Sequence, residues 1–113
     1  LVFIKIFIYV NTSQKALKLI AKNVANPRFK LIDVRTLPER NALYIPDSEH
    51  IPLDQLGKQI SVFDKETQYL IYCRSGKRSM TATNLLKQNG IDAINMEGGI
   101  IEWEQLTSNE TKK

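Results

Sequence analysis

The chain has one cysteine and one histidine in 113 residues. A single cysteine excludes an internal disulfide framework. One cysteine with one histidine is too small a ligand set for a usual zinc site. No apolar run reaches the ~20 residues that a membrane-spanning helix needs. The strongest candidate, Leu1–Val10, is too short and is broken by Lys5. Repeats, linkers and low-complexity tracts are missing. So is any basic stripe with interleaved aromatics, and nucleic acid is therefore not an expected partner. Acidic residues are absent from Thr67 to Ile91, a stretch that holds Arg74, Lys77, Arg78, Lys87 and the lone Cys73. The net charge of +4 thus has a positive focus around one thiol, which suits an anionic substrate.

What is present suits one compact α/β domain of ordinary apolar content. Residues 1–12 form an apolar N-terminal segment, read as a first strand, with the remnant of a signal or membrane anchor as the alternative. A chain that opens on Leu1 rather than Met implies an upstream piece removed or omitted. Residues 13–107 read as the domain and 108–113 as a polar tail. One free cysteine fits a reducing compartment, so a cytoplasmic location is expected, with membrane anchoring or export if an upstream anchor exists.

The pattern along the domain alternates. Ala16, Leu17, Leu19, Ile20 and Val24 recur at helical spacing and predict a helix from about Ser13 to Ala25, ended by Asn26-Pro27. Leu31–Val34 reads as a short buried strand. Thr36 and Glu39 have the spacing of a capping box at a helix start. Ser48–Ile51 predicts a further short strand and Leu53–Phe63 a helix, weakened by Gly57. Tyr69–Tyr72 is the central strand candidate. A helix follows from Arg78, with Gly90 at its C′ position. Ala93–Met96 is the last strand, Gly98-Gly99 a turn, and Ile100, Ile101, Trp103 and Leu106 line a final helix. With the N-terminal segment this predicts a mostly parallel five-stranded sheet with helices on both faces.

The chemistry concentrates in Tyr72-Cys73-Arg74-Ser75-Gly76-Lys77-Arg78-Ser79. The spacing puts Cys73 at the C-terminal end of a strand and over the N-terminus of a helix. Ligand sites of α/β sheets lie at such strand ends. Backbone N–H groups, the positive helix end and the loop cations all favour thiolate over thiol. Gly76 permits the backbone angles that curl successive amides into an anion nest. Two chemistries use such a set: phosphoryl transfer to cysteine, and sulfur transfer through a persulfide. A lone cysteine is otherwise most often inert packing. A nucleotide phosphate loop is excluded, because Ile71 stands where its first glycine would be.

The loop resembles that of the single-domain rhodaneses, the thiosulfate sulfurtransferase family. The resemblance runs from about Leu31 to Leu106. It takes in Asp33-Val34-Arg35, Tyr44-Ile45-Pro46-Asp47-Ser48, His50-Ile51-Pro52-Leu53, the Cys73 loop, Leu85-Leu86, Gly90, Met96-Glu97-Gly98-Gly99-Ile100 and Trp103. Tyr44 departs from the family, which often has histidine there. Tyrosine-type phosphatases, by comparison, place Arg six residues after Cys, where this chain has Ser79. The shorter loop favours sulfur over phosphate. The resemblance implies a rhodanese-like fold with Cys73 as catalytic sulfur acceptor and Arg74, Ser75, Gly76, Lys77, Arg78 and Ser79 as the substrate-binding loop. Arg74 and Lys77 are the candidates for an anionic donor such as thiosulfate, and Arg78 for the same role or for structuring the loop. Asp33, Arg35, Gly98 and Gly99 are expected to be structural, His50 satisfied or exposed, and Trp103 core. The acceptor would be cyanide or a thiol, and the donor could be a sulfur-donating protein. No metal or cofactor is implied. A persulfide carrier with little thiosulfate activity is the alternative.

Overall fold

A computed structural model describes the backbone of residues 14–111 and side chains as far as Ser108. The segment 1–12, with its expected first strand, lies outside the described residues. The elements in chain order are α1 (14–22), β1 (Phe29–Asp33), α2 (Leu37–Ala42), β2 (Glu49–His50), α3 (Leu53–Leu56), a 3-10 turn (Gly57–Val62), β3 (Gln68–Tyr72), α4 (Lys77–Gln88), β4 (Asp92–Asn95) and α5 (Gly99–Thr111).

The strands form one parallel sheet in the order β2-β1-β3-β4. The expectation of five strands is corrected to four among the described residues. The fifth candidate is the apolar N-terminal stretch outside them, and each of the other four candidates is a strand. Two more expectations change in detail. The helix over Leu53–Phe63 is a single α-turn that tightens into 3-10 geometry at Gly57. Gly57 and the β-branched Ile60 and Val62 give little support to a longer α-helix. Helix α5 continues to Thr111, through part of the stretch read as a tail.

Strand residues alternate between two cores, as the period of two requires. Ile32, Val34, Tyr69, Ile71, Cys73 and Ala93 face α3, the 3-10 turn and α4, where Leu56, Phe63, Ala82 and Leu86 meet them. Leu31, Leu70, Tyr72 and Met96 face α1 and α5, where Ile100 is buried and Ala16, Leu19, Ile20 and Trp103 pack at the margin. Helices therefore cover both faces, and Trp103 serves packing. Each large apolar side chain buried here contributes about 1.5–3 kcal/mol, so the two cores rather than helix propensity hold the sheet. No helix among the described residues is long and apolar enough to cross a membrane.

Helix α4 ends as expected. Gly90 is left-handed (φ 77°). Its N–H donates to the Lys87 carbonyl at 3.0 Å and that of Ile91 to the Leu86 carbonyl at 3.0 Å, the paired bonds of a glycine-closed helix end. Its other end is less usual, and the candidate site is built there.

Candidate active site

Strand β3 runs buried to Tyr72 and delivers Cys73 to its C-terminal end. Gly76 then turns the chain into α4 with φ 104°. A Cβ on Gly76 would drive into the Glu97 backbone carbonyl, so the position needs glycine for its angle and for its space. A Cβ on Gly99, with φ 63°, would likewise drive into the Arg74 carbonyl. The turn at Gly98-Gly99 thereby brings the start of α5 against the loop. Ile100 N–H donates to the Cys73 carbonyl at 3.0 Å and Ile101 N–H to the Arg74 carbonyl at 3.3 Å. Asn95 adds a bond from Nδ2 to the Gly76 carbonyl at 3.2 Å.

These contacts aim the loop's amides inward. The Gly76 N–H donates to Cys73 Sγ at 3.1 Å and the Ser79 N–H at 3.3 Å, with Ser79 Oγ also 3.3 Å from the sulfur. Burial of Cys73 pushes its thiol up. The Ser79 hydroxyl and the Ser79, Gly76 and Ser75 amides push it down and prevail, so the group sits below the ordinary thiol value. Cys73 is only 1% exposed, with its neighbours in the apolar core on one side and the amides on the other. The thiol is thus buried but not merely packed, because an inert core cysteine has no converging N–H groups.

The remaining loop residues divide. Arg74, Ser75 and Lys77 are exposed, and Gly76 and Ser79 are buried. Arg78 is already paired: its Nη1 and Nη2 donate to the two Glu39 carboxylate oxygens, each at 2.8 Å. The Arg78 guanidinium holds the Glu39 carboxyl down to about 2 from an ordinary 4.5. The stability Glu39 contributes is therefore complete above about 4.5 and lost as pH falls toward about 2. Melting temperatures of the parent and of Glu39→Gln should differ at neutral pH and converge across that window. A gap that persists below it would show that the charge pair is not its source.

Asp33 and Arg35 form a buried ion pair at the end of β1. Asp33 is wholly buried. Its Oδ1 accepts from the Arg35 N–H and Nε at 2.9 Å each, and its Oδ2 from Arg35 Nη2 at 2.8 Å and from the Tyr72 hydroxyl at 3.1 Å. Arg40 Nη1 stands 3.4 Å from the same oxygen and donates to Ser48 Oγ at 2.6 Å. Burial alone would raise the Asp33 carboxyl, but the Arg35 bonds and charge, with Tyr72, hold it below its usual value. His50 Nε2 lies 2.7 Å from the Arg35 carbonyl, to which it donates. Tyr44 is exposed, with the Arg40 guanidinium 4.2 Å above its ring.

Glu39, Tyr72, Ser48, Arg40 and Asn95 support the site and its surroundings without having been singled out in the sequence as site residues. Glu39 is visible there as a helix-cap residue, but nothing local connects it with Arg78, 39 residues later.

A rhodanese-like domain model matches residues 12–106, most of the chain. This chain belongs to the rhodanese-like domain family. A putative sulfurtransferase of Bacillus subtilis, YtwF, is 37% identical over 83 residues, covering 74% of this chain and 81% of that protein. A putative sulfur carrier protein of the same organism, YrkF, is 32% identical over 78 residues, 68% of this chain and 42% of that protein. Among solved structures, a rhodanese-like domain protein from Staphylococcus aureus superposes with a TM-score of 0.68 at 35% identity, over 74% of this chain and 83% of that one.

Loop geometry yields a direct expectation. Gly76→Ala puts a side chain at a left-handed angle and its Cβ into the Glu97 carbonyl, and should cost at least ~2 kcal/mol of stability. It should also slow alkylation of Cys73 by displacing an amide from the sulfur. Wild-type melting and alkylation rates would contradict the account of the turn.

Proposed function

We propose that the protein is a sulfurtransferase that carries a sulfane sulfur as a persulfide on Cys73, within a domain of residues 13–107. One observation carries this reading: the sulfur of Cys73 receives two backbone N–H groups and lies beside a hydroxyl. Together they favour the thiolate despite burial.

In the first half-reaction the Cys73 thiolate attacks the outer sulfur of an anionic donor such as thiosulfate. A sulfur–sulfur bond forms to Cys73. The donor's own sulfur–sulfur bond breaks, and its electron pair leaves with sulfite. In the second half-reaction cyanide or a thiolate attacks the outer persulfide sulfur and takes it, returning Cys73 as thiolate. The cycle is a double displacement that balances without an external oxidant or reductant. Arg74 and Lys77, both exposed, are the side chains proposed to attract the donor's sulfonate. Arg78, gripped by Glu39, structures the loop instead. With so little of the thiol exposed, the fitting donors are those with a slender terminal sulfur.

A persulfide carrier is the second reading, supported by the likeness to a putative sulfur carrier protein. The test compares thiosulfate-to-cyanide turnover with sulfur transfer from a cysteine desulfurase. Rapid thiosulfate turnover supports the enzyme, and transfer only from the desulfurase supports the carrier. Sulfur transfer in neither assay would overturn both readings.

A further inference from the structure

Helix α4 begins without the usual aid. Gly76 occupies its N-cap, so no side chain caps its first turn. That turn nevertheless has to be placed well, because Ser79 in it offers both an N–H and a hydroxyl to Cys73 Sγ. The contacts that place it come from elsewhere in the fold, and the strongest by geometry is the two-pronged bond from Arg78, the residue before Ser79, to Glu39. Glu39 is itself anchored: its Oε1 accepts the Thr36 N–H at 3.1 Å and the Thr36 hydroxyl at 2.9 Å. A firmly held carboxylate on α2 therefore grips the start of α4 beside the sulfur.

We propose that Glu39 is a positioning residue for Cys73: through Arg78 it fixes the first turn of α4, and with it the Ser79 groups that hold the thiolate. The proposal rests on Cys73 being the reactive group and goes beyond its sulfur chemistry. A competing role has the opposite sign. As a bare negative charge near the loop, Glu39 would disfavour the thiolate, and removing it would favour ionisation. As a positioning group, its removal loosens hydrogen bonds to sulfur and disfavours ionisation. Those hydrogen bonds are the main influences that lower the thiol, so the positioning effect should prevail.

The experiment is the pH profile of Cys73 alkylation by iodoacetamide, which needs no sulfur donor and so fails independently of the proposed transfer reaction. Glu39→Gln should slow alkylation near neutral pH by about three- to tenfold and move its midpoint to higher pH. Glu39→Asp keeps the charge but shortens the reach, and should slow it in the same direction. In an Arg78→Gln background, Glu39→Gln should have no further effect, because the two act as a unit. A lower midpoint in Glu39→Gln, an unchanged profile in Glu39→Asp, or a full additional loss in the double variant would overturn the proposal.

Discussion

Replacing Cys73 by serine is expected to remove sulfur transfer altogether while leaving the fold intact. Serine is close in shape, and its hydroxyl can accept the Gly76 and Ser79 N–H groups that now serve the sulfur. The cavity and the hydrogen bonds are therefore largely conserved, and stability should change by no more than about 1 kcal/mol. Chemistry is another matter. An alkoxide is not accessible at neutral pH in this nest, and an oxygen cannot take up a sulfane sulfur as a persulfide. Turnover and desulfurase-driven transfer should both fall to background, with an unchanged circular dichroism spectrum. Residual transfer at a substantial fraction of the parent rate would mean that the reacting group lies elsewhere. No second cysteine exists to supply one.

The second large effect concerns folding rather than chemistry. Asp33→Ala should destabilise by about 3–5 kcal/mol, because it leaves the buried Arg35 guanidinium and the Tyr72 hydroxyl without their carboxylate. That is a large part of the total stability of a small domain, typically about 5–15 kcal/mol. The melting temperature should fall by on the order of 20 °C. The cluster joins the ends of β1 and β3 to Ile45 and Ser48, since the Tyr72 hydroxyl also accepts the Ile45 N–H at 3.1 Å and meets Ser48 Oγ at 3.0 Å. Losing Asp33 therefore loosens the base on which the loop stands, although its side-chain hydrogen bonds go to Arg35, Arg40 and Tyr72 rather than to the loop. At low temperature, where the variant is folded, Cys73 should keep most of its reactivity. A small stability change with a large loss of reactivity would reverse this assignment and make Asp33 a site residue.

These contrasts explain what could be read from the amino-acid order. The Cys73 loop was legible because its parts are contiguous: an apolar strand, a thiol, a glycine and a helix start all fall between Tyr69 and Ser79. The cap at Thr36 and the glycine stop at Gly90 were legible for the same reason, since each is decided within one helical turn. Arg78 was ambiguous because its partner is distant in sequence. A cation beside an anion site could bind substrate or brace the loop, and nothing near Arg78 in the sequence shows the approach of α2. Tyr72 reads as one more buried strand residue, yet its hydroxyl reaches a polar cluster that depends on three separate segments. The split of the 53–63 helix turns on Gly57, a weakness visible in the sequence but with no local indication of where α geometry would give way.

The central claim is that Cys73 takes up a sulfane sulfur while held by its own loop. It is tested most directly by the intact mass of the protein after incubation with thiosulfate or with a cysteine desulfurase and cysteine. The account predicts a gain of one sulfur atom on Cys73, removed by cyanide or a thiol and absent from Cys73→Ser. An unchanged mass with both donors, or the same gain in the serine variant, would contradict it.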